Sequence, residues 1–253
     1  MTGFAALVLA GSRGERDPLC DYAGVRHKGL IRLGGKTLLE RVITALDGAG
    51  ATRIGVSATE PALFAELERL SAKAQLEPLP ASDSPSLSVE QGAKALGFPV
   101  LITTVDHALL QSDWVERFLS DVPAGADIAI LMAPEEVVRA AEPTTQRTYM
   151  RFRDGRYSGC NLFFLRSERA LAAIALWRQV EAHRKRPWRI AAMLGPGMLI
   201  RYALGLLTLD QAVSRLGAKA GLKAAAVRSP FGRSAIDVDK PSDLDLVRRL
   251  IEP

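Results

Sequence analysis

Phe4-Ala5-Ala6-Leu7-Val8-Leu9-Ala10-Gly11-Ser12-Arg13-Gly14 opens the chain with seven apolar residues that run straight into a turn of small residues and an arginine. An apolar run this short, bounded by glycine, is the pattern of a strand buried on both faces, which is how strands of a parallel sheet read. The turn that follows lets backbone N–H groups approach an anion closely, and Arg13 adds a side chain suited to bidentate phosphate contact. Working outward, the same kind of run recurs in alternation with helical periodicity: strand 53–58, helix 61–72, strand 99–105, helix 112–120 and strand 127–132. A helix is expected over 37–48, with Leu39, Val42, Ile43 and Leu46 on one face and a Thr37/Glu40 capping box at its start. Ser88 and Gln91 repeat that box, so another helix is expected to begin at Ser88. Alternating elements of this kind specify an α/β fold whose mostly parallel sheet is flanked by helices.

The alternation changes character after residue 148. Asp154-Gly155 between Thr148–Arg153 and Arg156–Leu165 predicts a β-hairpin, residues 167–217 read as a helical excursion, and 222–228 returns to the sheet as a strand. No repeat or low-complexity linker divides the 253 residues, so one domain spanning 1–253 is expected.

Composition narrows the function. Thirty-three basic against 28 acidic residues give +5, a surface that favours phosphates but is too weakly basic to imply nucleic acid, and 6% aromatic content offers few rings for bases. Two cysteines, Cys20 and Cys160, exclude a disulfide framework or a cysteine-rich zinc module and fit a reducing compartment, so a cytoplasmic protein is expected. The apolar run 4–10 lacks a basic segment before it and is not expected to be a signal peptide. The stretch His183–Arg189, with four basic residues beside Trp188 and an apolar continuation, has the composition of an interfacial segment; packing on the sheet or on a second subunit is the preferred reading.

Two familiar nucleotide motifs fail. The dinucleotide fingerprint needs G-x-G-x-x-G and an acid at the end of the second strand, and neither is present. Gly34-Gly35-Lys36-Thr37 imitates the end of a Walker A loop, but Leu30 stands where its first glycine belongs. What remains is a set of spaced polar residues. Lys28 precedes a short apolar stretch, and Asp106 ends Val100-Leu101-Ile102-Thr103-Thr104-Val105 at the carboxyl end of a strand, where open α/β sheets bind ligands and a hard oxygen suits magnesium. His107 has no suitably spaced second histidine and receives no chemical role. Asp237 and Asp239 alternate in a strand-like run ahead of Lys240-Pro241, which places both on one side of an extended chain and calls for a cation nearby.

Together these segments resemble the MobA-like nucleotidyltransferases, whose sheet is of the GT-A type. The resemblance is carried by L-A-G-S-R-G at 9–14, K-G-L-I-R-L-G-G-K-T-L-L-E at 28–40, T-T-V-D-H at 103–107 and D-V-D-K-P-S-D-L at 237–244; the excursion 167–217 matches no motif. It implies a magnesium-dependent transfer of NMP from an NTP to a phosphorylated acceptor, with release of pyrophosphate. By motif, Gly11, Ser12, Arg13 and Gly14 would cradle the triphosphate and Lys28 would stabilise the α-phosphate. Asp106, Asp237 and Asp239 would hold Mg2+, with Asp237 preferred over Asp239 as the direct ligand. Ser86 and Ser88, in Ser84-Pro85-Ser86-Leu87-Ser88, would meet the base or ribose. Fourteen residues separate Arg13 from Lys28, more than the family usually has, which admits Arg16 or Arg26 to the phosphate role. Two alternatives are a nucleotide-binding regulator on the same fold and a GT-A glycosyltransferase using an NDP-sugar; the latter usually carries D-x-D mid-chain, where this sequence has Asp106 alone.

Overall fold

The strand that opens the chain becomes the centre of the sheet. The computed structural model describes residues 3–11, 17–183 and 195–252. In chain order the elements are β1 (Phe4–Ala10), α1 (Pro18–Ala23), β2 (Arg32–Leu33), β3 (Lys36–Thr37), α2 (Leu38–Gly48), β4 (Ala51–Ala58), α3 (Pro61–Leu67), β5 (Gln75–Pro80), α4 (Pro85–Leu96), β6 (Val100–Thr104), α5 (Ser112–Asp121) and β7 (Ile128–Pro134). There follow α6 (Glu135–Ala141), β8 (Met150–Phe152), β9 (Gly155–Leu165), α7 (Leu171–Ala182), α8 (Pro196–Ala203), α9 (Leu209–Lys219), β10 (Ala224–Arg228) and α10 (Pro241–Ile251).

The main sheet runs β10-β7-β9-β6-β1-β4-β5, with β8 paired to β9 as the expected hairpin. All pairings are parallel except those of β9, which lies antiparallel between β6 and β7. Strand alternation divides the core. Phe4, Ala6 and Val8 of β1 pack with Val42 and Leu46 of α2 and Val115 and Phe118 of α5, whereas Ala5 and Leu7 pack with Val89 and Ala93 of α4 and Ile174 of α7. This is the mostly parallel α/β sheet with helices on both faces.

Several boundaries differ from the sequence expectation. α4 begins three residues before Ser88, because Ser84 is its N-cap and accepts from the Leu87 N–H at 3.3 Å, with Pro85 in the first turn. Ser88 is therefore an interior helical residue. β5, Gln-Leu-Glu-Pro-Leu-Pro, was not expected as a strand; its two prolines are tolerated because it is an edge of the sheet, where missing N–H donors break no ladder. α6 was likewise not expected. The run before Asp237 is a single 3-10 turn over Gly232–Ala235 followed by extended loop, not a strand.

Past Ile102, at the carboxyl end of β6, the amino-terminal part of β9 diverges from it. β6 pairs β9 only from Val100 to Ile102, while β9 goes on beside β7 through a register shift in which Ile130 faces Phe163 and Met132 faces Gly159. The extra β9 residues form a bulge containing Asn161, whose φ of 50° is a left-handed conformation that asparagine tolerates better than most residues. The bulge lies beside the carboxyl end of β6, next to the strand that runs against the others, the part of an open α/β sheet where ligands bind.

Of the excursion, α7 packs on α4 and α9 packs on β10. The segment 184–194, which holds most of the interfacial-type stretch, lies outside the described residues. Among the described residues no helix is long and apolar enough to cross a membrane.

Candidate active site

Three segments far apart in sequence meet at the end of β6. The Val105 N–H donates to the Leu9 carbonyl at 3.0 Å, holding the chain beyond β6 against the end of β1. Asp106 comes next and is buried. Its Oδ1 accepts from the Thr104 hydroxyl, its Oδ2 accepts from the Lys28 ammonium, and its backbone carbonyl accepts the Val238 N–H at 3.0 Å. The Lys28 Nζ also lies 3.3 Å from Asp239 Oδ1. One ammonium therefore bridges two carboxylates that stand 133 positions apart in the sequence.

His27 fixes the turn that presents Lys28. Its Nδ1 accepts the Gly29 N–H at 2.9 Å, and the backbone of Ala10 at the end of β1 is a further hydrogen-bond partner. Burial, then the charge of Lys28, pushes this imidazole below its usual value, so it acts as a neutral strut. Gly29 permits the approach: a Cβ there would fall 2.8 Å from Leu63 Cδ2 and 2.9 Å from Val105 Cγ2. Neither residue was singled out in the sequence, and a His next to Lys28 carried no signal of this role.

Asp237 and Asp239 alternate with buried Ile236 and Val238, so both point away from the local core, as alternation predicted, although the segment is loop. Their surroundings differ sharply. Asp237 Oδ1 accepts from Arg147, and Oδ2 accepts from Asn161 Nδ2 at 2.9 Å. Arg147 is only 9% exposed and also donates to Asp243 at 2.8 Å. Asp239 is 62% exposed and touches Lys28. Of the two, Asp239 is the more exposed, because Arg147 from the 142–149 loop and Asn161 from the β9 bulge engage both Asp237 oxygens. Arg147 and Asn161 were also missed: a bulge conformation and a loop crossing are tertiary facts.

The electrostatics follow from these contacts. Burial works to raise the Asp106 carboxyl, but the charge and hydrogen bond of Lys28, with that of Thr104, hold it below the usual aspartate value. Burial works to lower Lys28, but Asp106 and Asp239 hold it above the usual lysine value. Asp239 is raised, first by desolvation; the charge of Lys28 opposes the rise, and the charges of Asp106 and Asp237 add to it. Among the described residues, Asp106, Asp237, Asp239 and Asp243 form ion pairs with Lys28 and Arg147, four carboxylates against two cations. Among the described residues no group of three or more His, Cys, Asp or Glu converges as a ready metal cage.

The remaining sequence candidates lie along the same edge. Gly11 follows β1 directly, is exposed, and its nearest neighbour for an added Cβ is Ala81 at 3.8 Å; Ser12, Arg13, Gly14 and Arg16 lie outside the described residues. Ala81 follows β5 and leads into the 82–88 segment, so that segment begins beside Gly11 at the end of β1. Ser86 and Ser88 are buried. The Ser86 hydroxyl donates to Glu181 Oε2 at 2.7 Å, and Ser88 Oγ accepts the Ser82 N–H at 2.9 Å. Direct contact of these two hydroxyls with a nucleotide does not fit their burial; they shape the loop from beneath.

Comparison with known proteins agrees with this geometry. A family model, the MobA-like NTP transferase domain, matches residues 6–197. A structure titled a hypothetical transferase from Thermus thermophilus is similar at 30% identity and TM-score 0.82, covering 96% of this chain and 100% of that one. CMP:2-keto-3-deoxy-manno-octonic acid synthetase, solved with CTP, shares the fold at 16% identity and TM-score 0.60, covering 98% of each chain. A nucleotidyl transferase from Methanothermobacter does so at 18% and 0.58, covering 99% of this chain and 98% of that one. No curated protein matches the chain by sequence. With Gly11 directly after β1, a lysine against an aspartate just past β6, and a family model that spans most of its length, the chain belongs to the MobA-like NTP transferases, a family of nucleotidyltransferases.

Proposed function

We propose that the protein transfers NMP from an NTP to a phosphorylated acceptor, a sugar, polyol, head group or cofactor, in a magnesium-dependent reaction. The observation that carries this reading is the Lys28 ammonium held between Asp106 and Asp239 at the carboxyl edge of the sheet. A phosphate oxygen of the acceptor attacks the α-phosphorus, the bond to the β-phosphate oxygen breaks, and pyrophosphate leaves with that electron pair. Negative charge grows on the nonbridging and leaving oxygens, so fixed cations aimed at them lower the barrier.

The donor set fits magnesium. That ion is commonly bound by one or two carboxylates with substrate phosphates completing its shell, and Asp106 and Asp239 already receive a cation between them. Asp237, with both oxygens engaged, supports the segment instead. When bound, the metal supplies Lewis-acid neutralisation of phosphate oxygens. Lys28 contributes a second positive charge at the α-phosphate. Thr104 and His27 hold Asp106 and Lys28 in position. Gly11 to Gly14 take the β- and γ-phosphates, and the 82–84 loop takes the base. The NTP requirement and the two buried thiols agree with a cytoplasmic enzyme.

Pyrophosphate release, measured across four NTPs against a panel of phosphorylated acceptors, tests the reading. One NTP with one acceptor class is expected to release pyrophosphate in proportion to product and only with Mg2+. NTP binding without any release would instead favour a regulator.

A further inference from the structure

We propose that Glu181, in the helical excursion, is a positioning residue of the nucleotide site: through Ser86 and Ser84 it sets the shape of the 82–86 loop and so the discrimination among NTPs. The inference rests on the nucleotidyl-transfer reading above and adds to it a residue from a segment that matched no motif.

Glu181 lies in the last turn of α7, 95 positions from Ser86, and accepts its hydroxyl at 2.7 Å. Ser86 is fully buried, and its Oγ lies 3.0 Å from that of Ser84. Ser84 Oγ in turn accepts the Leu87 N–H and caps α4. The loop before that cap is pinned at its other end: the Ser82 N–H donates to Ser88 Oγ at 2.9 Å and the Ser82 hydroxyl to Gln91 Oε1 at 2.7 Å. A carboxylate thus anchors a relay of hydroxyls beneath the loop, leaving Asp83 exposed at its crest. The loop begins at Ala81, against Gly11, so its first residue stands beside the end of β1. A hydrogen bond to a carboxylate is about twice as strong as one between neutral groups, and every hydroxyl in the chain is oriented by it. Contacts to a base edge are directional, so a loop held in one shape separates bases that a loose loop would accept alike.

A second tie joins the same two helices. Arg178 pairs with Glu90, which also accepts from Lys94 at 2.7 Å. It docks α7 on α4 without touching the loop, and so supplies the control.

The test uses the full chain and Glu181→Ala, Glu181→Gln, Ser86→Ala, the Glu181→Ala/Ser86→Ala double variant and Arg178→Ala. Amide hydrogen exchange without nucleotide and dissociation constants for ATP, GTP, CTP and UTP with Mg2+ are the readouts. Glu181→Ala is expected to speed exchange across 82–88 and to weaken the preferred NTP about tenfold, with little change for the others. The double variant is expected to be no worse than either single, and Glu181→Gln, which keeps an acceptor, to restore most of the discrimination. Arg178→Ala is expected to lower thermal stability and leave the ratios among NTPs unchanged. Unchanged exchange in Glu181→Ala overturns the relay whatever the nucleotide data show. Unchanged ratios in Glu181→Ala, or the same loss in Arg178→Ala, overturn its role in selection while leaving nucleotidyl transfer intact. A wild-type protein that binds no NTP overturns the nucleotidyl-transfer reading itself, and this inference with it.

Discussion

An ammonium wedged between two carboxylates holds its proton through the neutral range and beyond, and Lys28 is in that position. Its raised value means that the stability it contributes is fully present below the ordinary lysine range and is lost as pH rises through the folded value; for Asp106, held low, the loss comes as pH falls through its folded value. Between those limits the pair is intact. Lys28→Ala is expected to reduce kcat by about a hundredfold or more, with a smaller effect on NTP affinity, because its charge counts most where charge develops; a rise in KM alone would make it a uniform binder. Asp106→Asn is expected to abolish Mg2+-dependent turnover while the far-ultraviolet circular dichroism stays native, and retained turnover would remove Asp106 from the metal site. His107 behaves differently. Fully buried beneath the site, its imidazole is pushed down to about 4 by desolvation, against the opposing charges of Asp106 and Asp237. The unfolded chain takes up this proton first, so the stabilising effect of a neutral His107 is complete above the ordinary histidine value and drains away from there down to about pH 4. Roughly 3 kcal/mol is lost over that interval, on the scale of 1.36 kcal/mol per pH unit. Urea midpoints between pH 8 and pH 4 are expected to fall accordingly, and to fall less steeply in His107→Phe.

At the scale of elements, α10 decides where the second carboxylate stands. Leu244 and Val247 are fully buried against Leu33 and Leu38, so the helix is seated on the turn and helix that follow Lys28. Leu244→Ala is expected to cost about 2–5 kcal/mol in chemical denaturation, the range for emptying a buried leucine site. The segment leading into α10 separates two roles that the sequence leaves equivalent. Asp237→Asn breaks the charge-assisted bond to a nearly buried arginine and is expected to lower stability by about 1.5–3 kcal/mol. Asp239→Asn is expected to leave the denaturation midpoint nearly unchanged and to raise the Mg2+ concentration needed for half-maximal turnover. The reverse pattern, measured by melting curves and metal titrations on both variants, would restore Asp237 as the direct ligand.

For the molecule as a whole, the site joins segments from residues 9–11, 27–29, 104–106 and 237–239, so a ligand held there braces elements from both ends of the chain. Binding to the folded state alone adds stability by mass action, about 2.7 kcal/mol at a ligand concentration a hundred times Kd. For a chain of this length that corresponds to a rise in Tm of about 5–10 °C. The preferred NTP with Mg2+ is expected to produce such a shift in scanning calorimetry, and chelation with EDTA to reverse most of it. A shift that survives EDTA would show that nucleotide binds without the metal. In the excursion Ile200, Leu204 and Leu206 are exposed, while Tyr202, set edge-on to Phe152 at 5.6 Å, and the Leu207 carbonyl, which accepts the Arg153 N–H at 2.8 Å, return the chain to the β8–β9 hairpin.

The sequence by itself determined the strand-and-helix alternation, because buried parallel strands must be apolar throughout and amphipathic helices must repeat near every third or fourth residue. It also placed Gly11 and Asp106 just past buried strands, since position after a buried run is a local property. Tertiary structure decided the rest. β5 reads as a loop with Pro78 and Pro80, and only its edge position makes it a strand. Ser84 rather than Ser88 caps α4, because two local caps compete and Pro85 with the tertiary packing selects the earlier one. Asp237 and Asp239 are alike by spacing, and they part only because the Asn161 bulge and Arg147 arrive from distant segments to occupy one of them. Glu181 gave no sign in the sequence at all, for its meaning depends on the packing of α7 against α4, and helical periodicity states which face a helix buries without stating what it is buried against.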